Sequence, residues 1–278
     1  MTANAQTYSS ITPSRCIAVA DDNPAVWYPM HEGTGTTLAE ALGLGPSMTL
    51  AGTTPANGWS TAGCYTPNGS NNYAWCASNS HINSVMGLAN IASSGMILCG
   101  FELQFPSASG TLQYINFWGR DSASAGFGGW GIYIASNDSV NILVRGEQAG
   151  SSDSRPMGVQ LGDTHAAPIK VLVSMWFESG YLRLECRQTG SVDPGVIGSN
   201  QMDCTAITLP STASDGAVLM MRRNGVTPTQ SPLGGGSSGA QLNNFFCQRR
   251  AQFSTTIADD AFADMQAAGR EFPRALRG

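Results

Sequence analysis

Apolar and polar residues alternate with a period of two along most of this chain, the spacing of β-strands that bury one face. In IKVLVSMWFESGYLRLECR, residues 169–187, Ile169, Val171, Val173, Met175 and Phe177 share one face. Lys170, Ser174 and Glu178 share the other, together with Leu172 and Trp176. Ser179-Gly180 supplies a tight turn, after which Leu182, Leu184 and Cys186 alternate with Arg183, Glu185 and Arg187. The segment predicts a β-hairpin with one buried face. Residues 131–145 repeat the pattern: Ile132 and Ile134 precede Asn137-Asp138, which tolerate the left-handed backbone of a short hairpin loop, and Val140, Ile142 and Val144 follow. Further strands are expected at 25–30, 72–78, 95–105, 112–119, 201–208, 216–223 and 242–252. Many short strands punctuated by Gly, Ser, Pro and Asn predict an all-β fold, an antiparallel sandwich.

Helical spacing stands out twice. Leu38 to Leu42 predicts about one turn. Residues 257–268 predict a full helix, with Thr256 and Asp259 as a capping box, Gly269 at its C-cap, and Ile257, Phe262 and Met265 as its buried stripe. The loop at 226–239 is flexible in composition but lies within the strand series. The chain therefore divides into an N-terminal arm (1–24), one sandwich (25–268) and a C-terminal arm (269–278).

Composition narrows the partners. Only 12% of the 278 residues are charged, about half the usual ~25%. The net charge is −5 and Lys170 is the one lysine, which argues against nucleic acid, whose phosphates need basic clusters. No apolar run reaches the ~18 residues of a membrane span. The first residues lack the basic start and apolar core of a secretory signal, so synthesis in a cytoplasm is expected. Seven cysteines without CxxC or Cys/His ligand spacing fit buried, reduced thiols better than a disulfide framework.

The order of elements resembles the concanavalin A-like, laminin-G-type jelly-roll family. Three segments carry the resemblance. VWYPMHEGTGTTLAEALG, with MTLAG and GWSTAGCYTPNGSNNYAW after it, looks like the family's first strand, Glu-Gly-x-Gly turn and next strands. VLVSMWFESGYLRLECRQTG looks like the central hairpin, and GAQLNNFFCQRRAQFSTTIADDAFADM is similar to the closing strand and C-terminal helix. The resemblance implies a two-sheet jelly roll with a short C-terminal helix. Where the family's closing strand often carries acidic residues this chain has Asn243-Asn244, and no calcium ligand set can be matched.

Candidate chemistry is sparse. GFGGWG, residues 126–131, matches GxGxxG but is followed by a strand rather than by the helix a dinucleotide site needs. GGSSG, residues 235–239, matches GxSxG but leads into a strand, so Ser237 lacks the setting of a nucleophile elbow. None of the seven glutamates has the Glu-x-Asp-x-x-Glu spacing of jelly-roll glycosidases. His31, His81 and His165 are isolated, and HExxH is absent because position 35 is Gly. Gly33 and Gly35 are expected to permit a turn with unusual backbone angles.

One cluster has binding chemistry: Trp118, Arg120, Asp121, Trp130 and Tyr133, in WGRDSASAGFGGWGIY. Aromatic faces suit the apolar side of a sugar ring, and charged groups suit its hydroxyls. The other reading is that Trp118 and Trp130 fill the sandwich core. No catalytic set, metal or cofactor is indicated. The expected function is that of a structural virion protein of a bacteriophage, a capsid-decorating or tail-associated subunit that binds its neighbours, or further copies of itself, through loops and arms. The first alternative is a glycan-binding module for host adhesion, and the second a polysaccharide-cleaving enzyme. Residence in the virion after synthesis in the host cytoplasm follows from the leading expectation.

Overall fold

The computed structural model describes residues 24–30, 32–51, 73–91, 94–104, 113–120, 128–135, 139–146, 155–160, 169–188, 196–205, 207–211, 213, 215–220 and 241–267. They form an all-β sandwich of two antiparallel sheets with two helices. One sheet has six strands in the order β1 (Ala25–Tyr28), β14 (Gln241–Arg250), β5 (Met96–Gln104), β10 (Ile169–Glu178), β11 (Tyr181–Gln188) and β12 (Val196–Asp203). The other has eight, in the order β2 (Thr37–Leu38), β3 (Met48–Ala51), β4 (Tyr73–Cys76), β13 (Ala217–Leu219), β6 (Gln113–Gly119), β7 (Gly129–Ile134), β8 (Ser139–Arg145) and β9 (Arg155–Gln160). Each sheet keeps two edges, so neither closes into a barrel.

The core lies between the sheets and is built from the period-two residues. Val171, Val173 and Met175 of β10 meet Ile132 and Ile134 of β7 and Val140, Ile142 and Val144 of β8 in one apolar cluster. The β10–β11 hairpin forms as expected, with Ser179 at φ 54° and Gly180 at φ 84° in its turn.

The expectation of a single buried face on this hairpin needs correction. Lys170, Leu172 and Ser174 point away from the inter-sheet core and are still buried. The cover is helix α2 (Thr255–Ala267), whose Ala258, Ala261, Phe262 and Met265 pack on Trp27, Met96, Leu98, Leu172 and Phe246. This second apolar layer lies over β1, β14, β5 and β10. The cap of α2 also differs from expectation. Ser254, not Thr256, receives the Ile257 N–H on its hydroxyl at 3.4 Å, and Asp259 turns instead to Arg187 at 2.8 Å. Gly269 lies outside the described residues.

Residues 38–42 form no helical turn. The Glu40 carboxylate withdraws the local backbone from helix by accepting its amides. Oε1 accepts from Trp27 N (2.9 Å) and Leu42 N (3.2 Å), and Oε2 accepts from Leu44 N (2.9 Å) and Gly45 N (3.2 Å). The Tyr28 hydroxyl donates to Pro46 O at 2.7 Å and closes the same loop on β1. Upstream, Gly33 and Gly35 take φ values of 70° and 86°, the turn expected of them, and Glu32 accepts the Ala39 N–H at 2.7 Å. His31 and His165 lie outside the described residues.

Helix α1 (Ser80–Met86), followed by a 3₁₀ turn over Leu88–Ile91, was not signalled by the periodicity. Asn79 caps it by accepting the Ile82 N–H at 2.8 Å. Ile82, Val85, Met86, Leu88 and Ile91 join the inter-sheet core, and His81 Nε2 sits 2.7 Å from Ala25 O.

Candidate functional site

The aromatic cluster proposed for sugar binding does not form a platform. Trp118 and Trp130 stand opposite one another on β6 and β7, are fully buried, and point into the inter-sheet core. Each indole N–H is already engaged by α1: Trp118 Nε1 donates to Asn83 Oδ1 (3.1 Å) and Trp130 Nε1 to Met86 O (2.7 Å). Arg120 is 8% exposed and forms a two-pronged pair with Asp215, at 2.6 and 3.0 Å, that ties the end of β6 to the start of β13. Tyr133 alone faces outward, stacked on Tyr114 at 5.2 Å between ring centroids. Asp121 lies outside the described residues, as do Ser237 and, Pro24 apart, the arms 1–24 and 269–278.

Parity accounts for the error. Positions 130 and 133 differ by an odd number, so on one strand their side chains leave opposite faces. Gly129 and Gly131 of GFGGWG are explained by close packing. A Cβ on Gly131 would stand 2.4 Å from the Phe117 ring, and one on Gly129 would stand 2.1 Å from Trp118 O.

A different surface has the chemistry sought. Among the described residues, helix α2 leaves the β12 side of the six-stranded sheet uncovered, and a groove of about 560 Å³ lies there. Cross-strand register orders its lining: Trp176, Arg183 and Gln201 share the middle row, Glu185 and Ser199 the row on one side, and Glu178 stands in the row on the other. Trp176 is partly exposed and lines the groove. Phe253, from the segment that leads into α2, stacks on it at 4.3 Å and 19° and so fixes the plane of the indole. Phe253 is anchored in turn by its own N–H, which donates to Ser94 O at 2.7 Å.

Polar groups surround the indole. Arg183 Nε donates to Glu178 Oε2 at 3.0 Å, and its guanidinium carbon lies 5.7 Å from the centre of the Tyr181 ring. Glu185 is turned away toward Arg187, which also reaches Asp259 on α2. Gln201 lines the groove on the face of Arg183 and is exposed, and the exposed Asn200 beside it, opposite Leu184, borders the groove from the other parity of β12. The floor therefore offers one aromatic surface with guanidinium, carboxylate and amide groups beside it. The signal was present in the hairpin sequence, because Trp176 occupies the parity of Ser174 and Glu178 rather than that of the core. Among the described residues, no group of three or more His, Cys, Asp or Glu side chains is placed to hold a metal ion. No described helix is long and apolar enough to cross a membrane.

No family model and no curated protein matches the chain. Solved structures do. The binding domain of botulinum neurotoxin serotype D/C aligns over 91% of this chain and 53% of its own, at 10% identity and a TM-score of 0.51. The serotype C1 binding domain aligns over 88% and 52%, at 11% identity and a TM-score of 0.49. A CBM40 module of the Ruminococcus gnavus IT-sialidase, bound to α2,6 sialyllactose, aligns over 70% and 96%, at 13% identity and a TM-score of 0.40. The chain thus spans about half the length of the neurotoxin domains it matches. At such identity the likeness to the serotype D/C domain establishes the fold alone, an antiparallel all-β sandwich.

Proposed function

We propose that this protein is a glycan-binding module and that its ligand lies in the groove over β10, β11 and β12. One observation carries the reading: Trp176, held in plane by Phe253, presents an aromatic surface beside the polar side chains that line the groove. The C–H face of a pyranose stacks on such a ring, while Arg183, Glu178 and Gln201 supply donors and acceptors for hydroxyls. The volume falls within the ~300–1,000 Å³ of small-ligand sites. The serotype D/C neighbour is itself a binding domain, which is consistent with the reading but names no ligand for this chain.

The groove carboxylates are held in ion pairs: Glu178 and Glu185 face the same way from adjacent strands, two rows apart, and turn to different arginines. We also read the sandwich as a jelly roll of the concanavalin A-like, laminin-G type. The insertion of β14 between β1 and β5, and of β13 between β4 and β6, supports that reading.

The test is a glycan array followed by calorimetry on the best ligand. Trp176→Ala should weaken binding at least tenfold, and Tyr133→Ala, on the opposite sheet, should leave it unchanged. A wild-type chain that binds no glycan, or a Trp176→Ala chain that binds as well as wild type, overturns the proposal.

A further inference from the structure

Cys99 on β5 and Cys247 on β14 are direct partners in the register of the six-stranded sheet. Both are fully buried and face the inter-sheet core. Their sulfurs stand 3.1 Å apart across 148 residues of sequence. Of the other cysteines on strands, Cys76 is opposite Ala217, and Cys186 is opposite Val173 and Gly198. Directly paired antiparallel residues have Cα atoms ~4.5–5.5 Å apart, inside the ~4.4–6.8 Å that a disulfide spans. Shortening the present contact to the ~2.05 Å of an S–S bond needs about 1 Å of side-chain movement and no shift of either strand.

We propose that Cys99 and Cys247 are a disulfide-forming pair, oxidised when the chain folds in the presence of a small-molecule disulfide such as glutathione disulfide. One cysteine thiolate attacks the oxidant, forming a mixed disulfide and releasing one glutathione thiol. The second cysteine thiolate then attacks the protein sulfur of that mixed disulfide, closing the Cys99–Cys247 bond and releasing the second glutathione thiol. Two protein thiols are oxidised, one glutathione disulfide is reduced to two thiols, and the protons leave with the products.

The site also dictates when this happens. Burial pushes the Cys99 thiol above its ordinary range, and the neighbouring Cys247 pushes it further. Exchange requires the thiolate, so the folded protein reacts slowly in either direction. The redox conditions present during folding are then retained in the product. The bond would join two interior strands of one sheet, β14 and β5, through the core rather than at the surface.

The experiment refolds the denatured, reduced chain in a glutathione redox buffer or in excess reductant, then maps free and linked cysteines by mass spectrometry of unreduced digests. The expected result is a Cys99–Cys247 linked peptide in the first sample only, with a Tm rise on the order of 5–10 °C over the second. Cys99→Ala/Cys247→Ala should show no difference between the two buffers. If the chain aggregates on refolding, native protein incubated with glutathione disulfide in sub-denaturing urea is mapped in the same way. Recovery of both thiols unlinked, linkage of either to a different cysteine, or an oxidised form no more stable than the reduced one overturns the proposal.

Discussion

Replacing Glu40 by alanine removes the acceptor of four backbone amides at once and tests how much of the loop over residues 39–46 depends on one carboxylate. The four contacts differ in cost. Trp27 N–H lies in the core strand β1, is fully buried, and loses its side-chain acceptor. An orphaned buried donor costs about 1–3 kcal/mol. The amides of Leu42, Leu44 and Gly45 are part-buried and can recover water, so each forfeits only the net value of its bond, about 0.5–1 kcal/mol. Their sum is reduced because the contacts share one anchor, leaving an expected loss of about 3 kcal/mol. That is a large part of the ~5–15 kcal/mol a domain holds. Urea unfolding monitored by tryptophan fluorescence reads it as a lower midpoint at unchanged slope. Glu40→Gln retains one oxygen, serves one pair of amides, and should fall between wild type and alanine. A loss below about 1 kcal/mol in Glu40→Ala would refute the claim that the carboxylate organises the loop.

Trp130→Ala should unfold far more easily than wild type, by about 3–5 kcal/mol, because it empties a fully buried indole site; a Tm near wild type would return Trp130 to the surface. Lys170 makes a pH-dependent prediction. Its ammonium donates to Met265 O at 2.6 Å near the C-terminus of α2, and burial lowers its pKa while Glu102 on β5 pulls it back up. A folded-state pKa below the unfolded one means that protonation penalises the fold, and the penalty lifts as pH rises from the folded value toward the ordinary ~10.4. Stability of wild type relative to Lys170→Met should therefore increase across the alkaline range in parallel thermal melts, and a decrease would contradict this direction.

The strands were legible because period two is a local property. Every inward residue of β10 and β11 could be read from the spacing of Val171, Val173 and Met175 against Leu182, Leu184 and Cys186. What lay over the other face of β10 could not be read, because the cover, α2, is some eighty residues away in sequence and only three-dimensional packing brings it there. Helix α1 escaped because SHINSVM, about two turns, is too short to establish a 3.6-residue period. The candidate site failed for a different reason. Trp118, Trp130 and Tyr133 lie near one another in sequence, whereas strand parity puts the two tryptophans in the core and Tyr133 on the opposite face. Applying that parity to Trp176 would have pointed to the groove.

The position of β14 has a consequence for the order of events during synthesis. This strand separates β1 from β5, and its register brings Gln248 opposite Ala25 and Cys247 opposite Cys99. A ribosome making the chain delivers β1 and β5 long before the strand that must stand between them. Until residues 241–250 emerge, both present unpaired backbone edges, and the apolar side chains that α2 later shelters remain in water. The nascent chain therefore carries an unfinished sheet until β14 emerges, a state prone to pairing with other chains. Contacts so distant in sequence form slowly, and the six-stranded sheet cannot be built strand by strand in the order of translation.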